Sequence, residues 1–143
     1  MVDFVVSQRV SVILFYNSNG EILLQDRRNK SKWGEEYGFF GGVALDGESS
    51  DDALRRELFE ELELKDFNFD LFKRYVHRAD GVSAGFERSV YIADMPDISK
   101  LVCHEGKMEV RTFQDSFGLK MIPGFCELLR EIYESLRAQD RIV

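Results

Sequence analysis

Apolar and polar residues alternate in the early part of the chain, and that period of two predicts strands. Arg9 to Tyr16 is rich in Val and Ile, and Asn17-Ser18-Asn19-Gly20 is a strong turn that returns the chain into Glu21 to Asp26, so the two segments read as a hairpin. Arg27 to Glu36 reads as a polar loop, and Tyr37 to Phe40 as a short strand ending at Gly41-Gly42. The period then changes. Leu54, Leu58 and Leu62 recur every four residues, as the core face of a helix does. Ser49 or Ser50 supplies the N-cap, Asp51 and Asp52 the acidic first turn, and the helix runs to about Glu63. Asp66 to Ala79 and Phe86 to Met95 alternate again, as strands separated by a Gly81 to Gly85 turn, and Glu109 to Gln114 is a further strand. Met121 or Pro123 opens a closing amphipathic helix with Phe125, Leu128, Leu129, Ile132, Tyr133 and Leu136 on one side. Strands, helix, strands, helix imply an α/β protein with a mixed sheet covered by helices.

Length and composition narrow the class. The 143 residues suit one domain, 1–143, able to bury a real core, and a hydrophobic fraction of 44% with two prolines argues against disorder. No internal repeat or low-complexity linker interrupts the chain. A net charge of -7 argues against a nucleic-acid surface, which needs basic patches, whereas a small polyphosphate still binds an acidic protein if a bound cation reverses the local sign. Cys103 and Cys126 form no CxxC pair and read as reduced or structural thiols. Met1 to Ser7 lacks a basic stretch followed by a long apolar one, and no apolar run approaches a membrane span, so a cytoplasmic protein with no membrane partner is expected.

The candidate chemistry lies on the first helix. Glu57, Glu60 and Glu61 stand at i, i+3 and i+4, so their carboxylates converge on a patch one turn long beside the leucine face. Such charges repel by roughly 4 kcal/mol per pair at 4 Å and an effective dielectric near 20. A hard divalent cation, Mg2+ or Mn2+, relieves that repulsion because it prefers oxygen ligands. An exposed like-charge pair costs only about 0.2 to 0.5 kcal/mol, so the carboxylates alone do not separate a metal site from a solvated acidic helix.

The surrounding frame does. From Gly42 there are five residues to Glu48, seven more to Arg56, then Glu57, Leu58, one residue, Glu60, Glu61, one residue, Glu63 and Leu64. This resembles the Nudix box, the signature of the MutT-like Nudix hydrolases, with Glu63 where the family pattern has glycine. Glu63 must either stay helical, carrying the helix on by a residue or two, or accept a strained turn. The resemblance implies the Nudix fold, a mixed sheet sandwiched between helices (α/β/α), and extends from the first hairpin to the closing helix.

It also implies roles. Residues matching Glu57, Glu60 and Glu61 bind divalent cations in the family, and the backbone carbonyl of the first glycine, here Gly41, often adds a ligand. Arg56 is expected to orient those carboxylates through its planar fork, with Glu48 structural. A loop acid commonly completes the site, and Glu105 in His104-Glu105-Gly106 resembles it, with Glu109 a competitor. Arg27 and Arg28 match positions where the family often places a phosphate-binding arginine. The implied chemistry is attack of a metal-activated water on phosphorus of a diphosphate, with Glu57, Glu61 or Glu105 as general base. Trp33, Phe39, Phe40 and Phe113 are candidates to stack a base, and otherwise core. Some nucleotide-sanitising relatives carry asparagine after the proline before the last helix; Pro123-Gly124-Phe125 lacks it, which argues against oxidised-guanine recognition. Neither His77 nor His104 is assigned a catalytic role. The implied substrate is a nucleoside triphosphate or nucleotide sugar, and the rival function is a Nudix-fold module that senses a nucleotide without cleaving it. Family members are often dimers, which leaves a homodimer open.

Overall fold

The computed structural model describes residues 5–32, 34–78 and 84–143. Trp33 and most of the expected Gly81 to Gly85 turn lie outside them. The chain forms strands β1 (Val5–Tyr16), β2 (Glu21–Asp26), β3 (Tyr37–Gly38) and β4 (Phe40–Val43), and then helix α1 (Ser50–Leu62). Strands β5 (Asp70–Arg78), β6 (Ala84–Asp94) and β7 (Lys107–Thr112) follow, and then helices α2 (Phe113–Ser116) and α3 (Phe125–Ala138).

Among the described residues the strands make one seven-stranded sheet, in the order β3-β2-β1-β6-β5, with β4 paired to β1 and β7 to β2. It is mixed: β1 and β6 run parallel, and the other pairings are antiparallel. Alternation along β1 assigns its two faces. Val12, Leu14 and Tyr16 join Ile22, Leu24, Val90 and Ile92 beneath Phe125, Leu128, Leu129, Ile132 and Leu136 of α3. Ile13 and Phe15 join Leu23, Phe40, Tyr91 and Ala93 beneath Leu54, Leu58 and Leu62 of α1. The sheet is therefore sandwiched between the two long helices, the α/β/α arrangement of the Nudix fold. No helix of the described residues is long and apolar enough to cross a membrane.

Several boundaries differ from the sequence expectation, each for a local reason. β4 continues through the glycine pair instead of ending there, because Gly41 adopts φ 143° and lies against β1; a Cβ on it would meet the Ser11 carbonyl oxygen at 2.0 Å. Ser49 is the N-cap of α1, its side chain accepting from the Asp52 N–H at 3.1 Å. At the other end Glu63 takes the strained turn: it sits at φ 54°, ψ 31°, its N–H donating to the Phe59 carbonyl at 2.9 Å, and the helix stops at Leu62. β5 starts at Asp70 rather than Asp66, which also has positive φ. β7 spans Lys107–Thr112 because the Thr112 hydroxyl caps α2 by accepting from the Asp115 N–H. Gly124, at φ 91°, starts α3 and leaves Pro123 outside it.

Candidate active site

α1 is fixed at its N-terminus by two side chains from the sheet. The Ser11 hydroxyl donates to the Ser50 carbonyl at 2.9 Å, and Tyr91 donates to Asp51 at 2.6 Å. The helix then carries Glu57 and Glu61 toward the glycine pair of β4. Where a Cβ on Gly42 would stand, the Glu57 carboxyl carbon lies 2.4 Å away, so this glycine opens the space that the carboxylate fills. Glu61, 2% exposed, accepts the Gly41 N–H at 3.0 Å.

Arg56 organises the outer side. Its Nε and Nη2 grip both Glu48 oxygens at 2.9 and 3.0 Å, a two-pronged pairing that holds the Glu48 carboxyl below its ordinary value. Its Nη1 donates to Glu57 at 3.0 Å and to Glu60 at 3.2 Å, and its Nη2 also donates to the Val43 carbonyl at 3.0 Å. Arg56 thereby ties the end of β4, the loop acid Glu48 and two helix carboxylates into one unit. The Glu60 side chain is 55% exposed and is the outermost of the three helix acids.

Glu105 arrives from a distant part of the sequence. The loop before β7 satisfies the last carbonyls of α1, with Val102 N–H donating to Leu62 at 3.1 Å and His104 N–H to Glu61 at 2.7 Å. Gln25 donates to the Glu105 carbonyl at 3.1 Å, and Glu63 pairs with His104 at 2.7 Å. Glu105 so comes within interaction range of both Glu57 and Glu61, while Lys30 reaches its carboxylate at 3.2 Å. Burial, with Glu60 and Glu105 nearby, raises the Glu57 pKa against the opposing pull of Arg56. Burial also pushes Glu61 up to about 9, assisted by the charges of Glu105 and Glu57.

Glu57 and Glu105 border a cleft of about 550 Å3, while Glu61 is buried and outside its lining. Gly41, Gly42, Glu57 and Glu105 form one wall; Arg27, Lys30 and Lys32 bring positive charge; Phe39, Phe86, Arg88, Ile122 and Phe125 line the far part. Of the expected phosphate-binding arginines, only Arg27 lines this cleft. Arg28 turns to Asp26, with which it makes an ion pair at 2.6 Å. Phe39 lines the cleft, stacked on Phe125 at 4.5 Å, whereas Phe40 and Phe113 are fully buried in the two cores. Glu109 pairs with Arg111 on β7, away from the cleft. Lys30, Lys32, Phe86 and Arg88 went unnoticed in the sequence. For Arg88 there was a signal, a charged residue in phase with Phe86, Val90 and Ile92 on the buried face of its strand.

Among the described residues no three acidic, His or Cys side chains stand at the separations of a closed metal cage. Arg56 and Lys30 occupy oxygens of Glu57, Glu60 and Glu105. The donor set nevertheless fits a hard divalent cation: it is all oxygen, and a buried carboxyl raised by burial and by like charges is what such a cation relieves.

The NUDIX domain model matches residues 6–106, and the chain belongs to that family. Its class is pyrophosphohydrolase. No curated protein sequence matches. Among solved structures it is similar to the E. coli ORF135 protein, at 24% identity over 95% of this chain and 94% of that one, with a TM-score of 0.74. It is also similar to the mutator MutT protein of Bacillus halodurans (20% identity, 87% and 81% covered, TM-score 0.70). A MutT NUDIX hydrolase of Burkholderia pseudomallei gives 19% identity, 87% and 95% coverage and a TM-score of 0.69. At these identities the likeness is one of fold.

Proposed function

We propose that this chain hydrolyses a diphosphate linkage in a nucleoside diphosphate derivative, a nucleoside triphosphate or a nucleotide sugar, with Mg2+ as cofactor and Mn2+ as a substitute. The observation that carries this reading is the convergence of Glu57 and Glu105, both within interaction range of the buried Glu61, at a cleft that basic and aromatic side chains also line. Glu57, Glu60, Glu61, Glu105 and the Gly41 carbonyl are the groups to hold the cation. When bound, the cation supplies charge neutralisation on phosphate oxygens and acidification of water.

The remaining work falls to the chain. Arg27, Lys30 and Lys32 bind the non-reacting phosphate oxygens, and displacement of Lys30 onto phosphate frees Glu105. Arg56 holds Glu57 in a fixed orientation, which removes the entropic cost of placing it at the moment of reaction. A carboxylate raised above its ordinary range is the stronger base once ionised, and Glu57 and Glu61 are held in that ionised form at neutral pH when the cation is bound. Glu57, Glu61 and Glu105 are the three proton acceptors in reach.

The test is release of phosphate or pyrophosphate in Mg2+ across a panel of nucleotides and nucleotide sugars, comparing wild type with Glu57→Gln and Glu61→Gln. Each variant is expected to lose at least about 100-fold in kcat/KM. Undiminished cleavage in both variants removes the site assignment. Ligand binding without turnover across the panel supports the sensing module instead.

A further inference from the structure

The part of the cleft farthest from the carboxylates is built around Arg88, which is 4% exposed. Its guanidinium carbon stands 4.9 Å from the centre of the Phe86 ring and 4.6 Å from that of Phe125. Phe125 stacks on Phe39 and Phe86 on His77, so the guanidinium is one layer of an aromatic column. Only its edges remain for hydrogen bonding. At one corner Nη1 donates to the Tyr75 hydroxyl at 2.7 Å and to the Pro123 carbonyl at 3.4 Å. Gly124 makes this possible: at φ 91° it brings the start of α3 down so that a Cβ there would lie 3.3 Å from Nη1. The other edge, formed by Nε and Nη2, is different. Nε is buried and has no hydrogen-bond partner, and among the described residues Arg88 has no ion-pair partner.

A buried donor without an acceptor is costly to keep unless a ligand completes it. The ring faces on either side already attract the positive charge. What Nε lacks is an acceptor in the guanidinium plane, and a ligand with two acceptors side by side would meet Nε and the adjacent Nη2 in the geometry with which Arg56 holds Glu48. The surroundings of Val10, Val12, Phe39, Phe86, Ile122 and Phe125 are apolar and aromatic, unsuited to a hydrated phosphate and suited to a flat heterocycle. Register gives the distance. Arg88 pairs with Val10 of β1, and Val10 with Val43 of β4, next to the Gly42 against which Glu57 rests. Two strand spacings, roughly 10 Å, separate the guanidinium strand from the carboxylate wall, enough for a sugar and part of a base.

We propose that Arg88 is the specificity-determining residue of the cleft, binding a nucleobase edge that presents two adjacent acceptors. Guanine offers such an edge in O6 and N7, and cytosine in O2 and N3. Adenine places an amino donor beside N7, and uracil places an N–H between its carbonyls. The proposal rests on the nucleotide reading of the site given above.

The experiment compares kcat/KM for GTP, ITP, 7-deaza-GTP, CTP, ATP and UTP in Mg2+, together with calorimetric binding of GDP, CDP, ADP and UDP. GTP and ITP, or CTP, are expected to exceed ATP and UTP roughly ten- to hundredfold. A drop from GTP to 7-deaza-GTP identifies the purine edge, and a CTP preference the pyrimidine edge. In Arg88→Lys the ratio collapses toward one. Equal turnover of all the nucleotides overturns the assignment and leaves the hydrolase reading in place, as does a preference that Arg88→Lys leaves intact. Selective binding of GDP or CDP without turnover retains the assignment and removes the hydrolase reading. The absence of both selective turnover and selective binding overturns the assignment.

Discussion

Replacing Glu61 by Gln separates what the carboxyl costs the fold from what it gives the site. In the metal-free protein, burial beside Glu57 and Glu105 pushes Glu61 from 4.5 up to about 9. Between those values the folded state holds a proton that the unfolded chain has released, so stability falls as pH rises through this range. One such proton corresponds to about 1.4 kcal/mol per pH unit, hence at most about 4 kcal/mol between pH 5 and pH 8. Glu57, raised in the same direction, adds to the slope, while the lowered carboxyls of Asp26, Glu48 and Asp97 act below their ordinary values and leave the window clear. Gln keeps an oxygen for the Gly41 N–H and carries no charge. Metal-free Glu61→Gln is therefore expected to melt about 10 °C above metal-free wild type at pH 8, with the gap nearly closed at pH 5. Adding Mg2+ at pH 8 raises the wild-type Tm and leaves that of the variant unchanged. Thermal melts at four pH values, with EDTA or with Mg2+, give all of these readings. A variant with the wild-type pH slope, or one less stable than wild type at pH 8, would refute the reasoning.

The glycine pair should divide cleanly in urea unfolding and steady-state kinetics. Gly41→Ala drives a Cβ onto backbone at a positive φ and costs more than about 3 kcal/mol, whereas Gly42→Ala meets the carboxyl end of the Glu57 side chain, which can shift away from Arg56, and costs under about 1.5 kcal/mol while kcat drops at least about tenfold; the reverse order would sink the account. Glu63→Gly relieves a left-handed residue, worth about 1 kcal/mol, and loses an exposed pair with His104 worth about 0 to 1 kcal/mol. Urea unfolding should show a small net gain, and a loss above about 1 kcal/mol would mean that the Glu63 pair with His104 holds the loop.

What the sequence made legible was whatever is decided locally. Periods of two and four located the strands and α1, Ser49 or Ser50 marked the helix start, and the spacing from Gly42 to Glu61 singled out Glu57, Glu60 and Glu61 as the candidate carboxylates. Glu63 was legible only as a choice, because whether a helix runs on or turns left-handed depends on what receives its last carbonyls, and here that is the loop from Val102 to His104. The same non-local docking brings Glu105 to Glu61, across more than forty residues of chain. Arg27 and Arg28 show the limit of matching by position. Neighbours at a strand end point to opposite sides, so only one of the two faces the cleft, and the Asp26 that captures the other decides which.

Arg88 carries the argument furthest, because the alternation that located its strand also put a charge where Phe86, Val90 and Ile92 predict an apolar side chain. A structural arginine on such a face satisfies its own donors, as Arg56 does with Glu48, Glu57 and Val43. Arg88 is instead half satisfied by Tyr75 and Pro123 and left with a buried free Nε beside a cleft. A fold keeps a donor in that condition when a ligand completes it, and the stabilisation withheld from the empty protein then becomes selectivity between bases.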